Sequence, residues 1–215
     1  MPDEKIIISM PYYDMIVGAS AHTMVNLRTD PRVIDHTFAQ GMPVGHVRNQ
    51  IVLQCLERDD WTHLLMIDSD NYIKHHPQEV IDMLLACDSD IACGWYDLLL
   101  GDGTNLAIVR SVMTKSGRWE TNELPIEPFD VICCGAGCIL MTREALEKTP
   151  CPWFKWSGNY LADPENESDD IFFCKKALSL NLTIRCHPEL KLGHEKRIPL
   201  DLLHEARQIG ASYGV

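Results

Sequence analysis

His63-Leu64-Leu65-Met66-Ile67-Asp68-Ser69-Asp70 places four apolar residues in succession directly before two acids that flank a serine. An apolar run this short reads as a strand buried on both faces, as in a parallel sheet covered by helices. In an extended chain, residues i and i+2 point to the same side. Asp68 and Asp70 would then face one point beyond the carboxyl end of the sheet, where open α/β sheets hold ligands. Two hard oxygen donors there suit Mg²⁺ or Mn²⁺, with water and phosphate completing the coordination. The same three residues can also form an ordinary polar turn after a strand.

Outward from this stretch, strands and helices alternate. Upstream, Lys5 to Met10 is a β-branched apolar run ended by Pro11, and a helix is expected from Ser20. Past the turn signals Gly41, Pro43 and Gly45, residues 44 to 56 carry Val47, Ile51, Val52, Cys55 and Leu56 at helical spacing. Downstream, Pro77 opens a helix with Val80, Ile81, Leu84 and Leu85 on one face, and Asp90 to Trp95 reads as the next strand. Two-residue alternation from Leu106 to Ile132 predicts an antiparallel excursion. A strand from Gly137 to Met141, a helix from Thr142, an aromatic loop, a helix from Ser168 and two short strands (182 to 186 and 190 to 193) follow. The pattern is α/β: one domain over the 215 residues, with a mixed, mainly parallel sheet flanked by helices, a core from about residue 5 to 196 and a helical tail over about 197 to 215.

The composition narrows the class. A net charge of −12 argues against a broad nucleic-acid or anionic-membrane surface, which basic residues would have to hold. No apolar run approaches the length of a membrane span, and the charged start does not resemble a secretion signal, so a soluble, cytoplasmic protein is expected. Nine cysteines, with no C-x-x-C pair, read as reduced thiols, several of them within apolar runs.

Other residues could carry chemistry, each with a plainer alternative. Ser168-Asp169-Asp170 before Ile171-Phe172-Phe173 is a helix cap with acids in the first turn, and equally a carboxylate pair held as a base. His194 after Gly193 is a structural histidine or an added metal donor. Arg48 and Asn49 lie on a solvated helix face or put a cation near a diphosphate. Gly135-Ala136-Gly137 permits close backbone approach to a ligand or marks a bulge. Trp153 and Trp156 belong to the core or stack on a sugar or base, and are candidates for the acceptor side.

The order of these features closely resembles the GT-A glycosyltransferases, specifically the small, family-2-like members found in bacteria and their viruses. The resemblance rests on the strand ending at Pro11, Val47-Arg48-Asn49, Leu64 to Asp70, Gly135 to Glu144, Asp169-Asp170 and Leu192-Gly193-His194. It implies an enzyme that moves a sugar from a nucleotide-diphosphate sugar, with UDP the expected carrier, to an acceptor hydroxyl with inversion, using Mn²⁺ or Mg²⁺. By the same resemblance, Pro11, Tyr12, Asp14, Arg48, Asn49, Asp68, Ser69, Asp70 and the Gly135-Ala136-Gly137 turn serve the donor. Asp68, Asp70 and His194 serve the metal, and Asp170, assisted by Asp169, is the base. The acceptor could be a glycan, a protein or a modified DNA base. Two positions depart from the family pattern: Asp169 stands where Glu is usual, and Lys175 and Lys176 stand where an Arg is usual. The competing readings are a nucleotidyltransferase or aspartate phosphatase and an inert nucleotide-sugar or carbohydrate binding module. The first would want a Gly-rich basic loop, or its D-x-D, after the first strand, where Pro11-Tyr12-Tyr13-Asp14 stands.

Overall fold

Alternate residues of the two central strands enter opposite cores. Ile7, Leu64 and Met66 pack into one apolar cluster, and Ile6, Ile8, Leu65 and Ile67 into the other. That two-sided burial is what the uninterrupted apolar runs required. The structure is a computed structural model, and it describes residues 4–101, 106–121, 123–156 and 167–195. The expected tail from residue 197 lies outside the described residues.

In chain order the elements are β1 (Ile6–Tyr12), α1 (Gly18–Leu27), β2 (Val33–Gln40), α2 (Val44–Leu56), β3 (His63–Ile67), β4 (Asn71–Tyr72), α3 (Pro77–Ala86) and β5 (Ile91–Trp95). A hairpin of β6 (Asp97–Gly101) and β7 (Leu106–Arg110) leads to the short strands β8 (Val112–Met113), β9 (Phe129–Asp130) and β10 (Cys133–Cys134). The chain closes with β11 (Cys138–Thr142), α4 (Arg143–Lys148), α5 (Asp169–Ser179), β12 (Ile184–Lys191) and β13 (Gly193–His194).

The main sheet has the order β2-β1-β3-β11-β5-β12-β9. β1 is parallel to β2 and β3, and β12 is parallel to β5, while β11 runs antiparallel between β3 and β5 and β9 runs antiparallel at the edge. Most strands therefore point one way, and the ends of β1, β3 and β5 share one rim. Helices α2, α4 and α5 cover one face through Val47, Ile51, Leu146, Phe173 and Ala177. Helices α1 and α3 cover the other through Met24, Leu27, Val80 and Leu84. No helix among the described residues is long and apolar enough to cross a membrane.

Several expected boundaries shift for local reasons. β1 runs through Pro11 to Tyr12; its pairing with β3 stops at Ser9, so Pro11 lies where the strand has β2 alone beside it. β2 carries no clean apolar period because it is an edge strand with outer residues exposed, and the sequence pattern missed it. The two short strands expected after Leu182 are one strand, β12, with a register shift between Cys186 and Lys191. The α4 start holds as expected, with Thr142 Oγ1 accepting from the Ala145 amide at 3.1 Å. All nine cysteines are free thiols, and only Cys151 is exposed.

Candidate functional site

Asp68-Ser69-Asp70 is not extended. The Asn71 amide donates to the Asp68 carbonyl at 3.1 Å, closing a turn across residues 68–71. The turn gives the two carboxylates different partners. Asp68 turns toward α2, where its Oδ1 accepts from Arg48 at 2.6 Å, and Asp70 turns toward β13, with Oδ2 3.4 Å from His194 Nε2. The Ser69 carbonyl accepts from the Val17 amide at 3.0 Å, which ties the loop after β1 to this turn. Along that loop Pro11 is buried within β1, Tyr12 is half-buried and Asp14 is exposed.

Arg48 does not present an open cation on a solvated helix face. It is buried, and its fork joins two acidic motifs far apart in sequence: Nη2 to Asp68 and Nη1 to Asp169 at 2.5 Å. Burial opposes its charge, but Asp68 and Asp169 outweigh that cost and raise its pKa further above the ordinary value. Asp169 is itself buried against Gly45 at the start of α2, where an added Cβ would lie 3.1 Å from its Oδ2. Burial pushes the Asp68 carboxyl up, with Arg48 pulling the other way.

Asp170 follows on the first turn of α5. The expected Ser168 cap is absent as such: the Ser168 hydroxyl donates to Asp170 Oδ1, which also accepts from the Ile171 amide at 2.9 Å. Burial raises the Asp170 pKa, and Ser168 and Arg48 only partly offset it. A carboxylate oriented by two donors, and raised toward the range where a base works, can accept a proton from a hydroxyl.

His194 Nδ1 lies 2.9 Å from the Asp97 carbonyl, which can only accept, so Nδ1 carries a hydrogen and Nε2 is the nitrogen turned toward Asp70. In its neutral form the imidazole could share a cation with Asp70 across this 3.4 Å approach, and a backbone carbonyl orienting the far nitrogen is the usual support of a metal-bound imidazole. Among the described residues no three His, Cys, Asp or Glu side chains converge to hold a metal by themselves. Asp70 and His194 therefore fit an ion such as Mn²⁺ or Mg²⁺ that draws its other ligands from water and diphosphate. Tyr96, which sequence reasoning passed over, backs the imidazole with ring centroids 4.7 Å apart at 65°. Burial, then the charges of Asp68 and Asp170, push its hydroxyl pKa well up. Its place at the end of β5, the same rim as Asp68, was the available signal.

No protein-family model matches the sequence, and no curated protein matches it. Solved structures do. A197 from STIV superposes with a TM-score of 0.62 at 19% identity, covering 90% of this chain and 86% of that one. GalNAc-T7, in a structure with UDP, GalNAc and Mn²⁺, gives 0.58 at 12% identity over 91% of this chain, which spans 44% of the GalNAc-T7 chain. A CMP:2-keto-3-deoxy-manno-octonic acid synthetase complexed with CTP gives 0.50 at 10%, covering 98% and 100%. The fold is of the GT-A type.

Within this GT-A fold, the remaining sequence candidates separate into site and scaffold. Packing requires glycine at 135 and 137: a Cβ on either would collide with Tyr96, and one on Gly137 would come within 2.6 Å of the buried Asn71 Oδ1. Ala136 between them is buried. Gly193 is likewise needed because the Tyr72 ring occupies its side-chain position. Asn49 pins the aromatic loop, with Oδ1 accepting from the Trp153 and Phe154 amides at 2.9 and 3.0 Å and Nδ2 donating to the Phe154 carbonyl at 2.7 Å. Trp153 is buried with its indole donating to the Leu146 carbonyl, so it is core and offers no stacking face. Trp156 is 38% exposed and lines a cavity of about 560 Å³ beside the start of α2.

Proposed function

We propose that this chain is a metal-dependent glycosyltransferase, a single GT-A domain that moves a sugar from a nucleotide-diphosphate sugar, UDP-linked, to an acceptor hydroxyl with inversion. The observation that carries the reading is the buried Arg48 fork, which brings the Asp68 turn and the Asp169-Asp170 pair to one point at the rim of the sheet. Such an arrangement would set donor-side and acceptor-side carboxylates beside one another. Asp70 and His194, with Asp68 adjacent, would hold Mn²⁺ or Mg²⁺, which when bound offsets the charge of the departing diphosphate. Tyr12, Asp14 and Ser69 border the donor at the joined loops after β1 and β3. Asp170 takes the acceptor proton as the acceptor oxygen bonds to the anomeric carbon and the bond from that carbon to the diphosphate breaks; the products are a glycoside and a nucleoside diphosphate. Asp169, locked to Arg48, positions Asp170.

The test is release of the nucleotide, as UDP, GDP or CMP, from a panel of UDP-, GDP- and CMP-linked sugars with and without Mn²⁺. The reading requires Mn²⁺-dependent release from one of the diphosphate donors; Mn²⁺-dependent binding with no release would leave an inert nucleotide-sugar binding module. Binding of a nucleoside triphosphate with pyrophosphate release on adding a free sugar would replace it with a nucleotidyltransferase.

A further inference from the structure

The cavity of about 560 Å³ beside α2 is lined chiefly by apolar groups, among them Met42, Pro43, Val44, Phe154 and Trp156. Two of its walls are shared with the acidic cluster. Gly45 lines the cavity and touches Asp169, and Phe154 stacks on Phe173 of α5 with centroids 4.6 Å apart while lying 5.7 Å under the Arg48 guanidinium. A molecule seated there therefore lies next to the helix start that carries Asp170.

The polar groups of the lining decide what that molecule is. A bare sugar buried in a cavity needs hydrogen-bond partners for its hydroxyls, because each one left unpaired costs free energy. Here Asn49 is committed to the backbone of residues 153 and 154, and besides the indole N–H of Trp156 the polar side chains of the lining are His46 and Lys155. Met42 and Trp156, 60% and 38% exposed, form an apolar rim that water would otherwise cover.

We infer that the cavity takes the apolar part of the acceptor, an alkyl or aryl group next to the hydroxyl that is glycosylated. The inference rests on the glycosyltransferase reading for the word acceptor, but the binding preference it asserts does not. An apolar group placed in this cavity leaves the hydroxyl at the Gly45 edge, toward the α5 start, with Lys155 and His46 available to an anionic or hydroxyl substituent.

Methyl, octyl and 4-nitrophenyl β-D-glucopyranoside share one sugar and differ only in the attached group. Calorimetric titration of each into the full chain, with octyl glucoside below its micelle concentration, should give about tenfold or tighter binding of the octyl or the nitrophenyl compound over the methyl one. Which of the two binds tighter tells an alkyl from an aryl acceptor. Val44→Trp, which fills the cavity, should erase the preference, and Trp156→Ala, at an exposed position, should reduce it even if the first variant folds poorly. Equal binding of all three glycosides, or a preference that survives both variants, overturns the inference. A preference without sugar transfer from any donor keeps the cavity assignment and defeats the transferase reading. Transfer with no preference between glycosides does the reverse.

Discussion

Replacing Arg48 by Lys keeps the charge and removes the fork. A single ammonium cannot span Asp68 and Asp169 at once, and Asp169 is buried with little access to water. Arg48→Met removes the charge too and leaves that carboxylate unpaired, a change that costs about 3–5 kcal/mol. Urea denaturation should rank wild type above Lys above Met; a Lys variant as stable as wild type but weak in donor binding would mean that Arg48 faces the ligand. Asp170 makes the opposite prediction. Its folded pKa is raised by burial, with Ser168, Arg48, Asp169 and Cys174 the polar and charged groups that act on it. A raised carboxyl is held protonated longer in the folded state, so folding stability falls as pH rises from the unfolded pKa through the folded one and stays lower above it. Asp170→Asn should therefore lower turnover about a hundredfold or more while raising stability at neutral pH, the stability gain vanishing in acid. The wild-type rate should fall on the acid side at a pH above that of an ordinary carboxylate. A neutral-pH denaturation midpoint unchanged in the Asn variant would contradict this account. At this scale the acids and His194 were legible as motifs. The role of Arg48 was not, because its partners lie 20 and 121 positions away and only the fold brings them near.

At the scale of elements, periodicity identified β1, β3, α2, α3 and β5 because each buries a whole face or both. It failed for β2, whose edge position removes the apolar period, and for β4 and β13, whose two-residue pairing is decided by Tyr72 and Gly193 rather than by any local pattern. That pairing has a functional consequence. Gly193 admits the Tyr72 ring, and the register Gly193↔Tyr72, His194↔Asn71 sets His194 opposite the residue after Asp70. Gly193→Ala must push β13 away from β4 and carry His194 with it. Mn²⁺ affinity, read by titration in the presence of UDP, should drop about tenfold or more, in the range seen for lost orienting contacts. Tyr72→Ala in the same chain opens the space and should restore much of the loss. If Gly193→Ala binds Mn²⁺ normally, His194 is not a ligand.

For the whole molecule, composition and alternation were enough to foresee an α/β sheet, and the strand-end rule singled out the candidate residues at its rim. They did not foresee that β11 would run antiparallel through the centre, since an apolar strand buried on both faces carries no mark of its direction. The central position of β11 has a consequence for stability. Asp68 on the β3 side and Asp70 with His194 on the β13 side are joined by a turn whose Asp68 amide donates to the Gly137 carbonyl at 3.3 Å, just before β11. A nucleotide and a metal bound across this turn would link the loops after β1 and β3 to β13, and a ligand that binds only the folded chain raises its stability by mass action. At a hundred times its dissociation constant the gain is about 2.7 kcal/mol. For a chain of this size that corresponds to a rise in melting temperature of roughly 5–10 °C. UDP with Mn²⁺ should produce such a rise, and UDP with EDTA a much smaller one. Asp70→Ala should melt near the ligand-free wild type and lose the Mn²⁺-dependent part while retaining whatever shift UDP gives alone, because its carboxylate lies on the His194 side of the turn. A full Mn²⁺-dependent shift in that variant would move the metal away from Asp70 and His194.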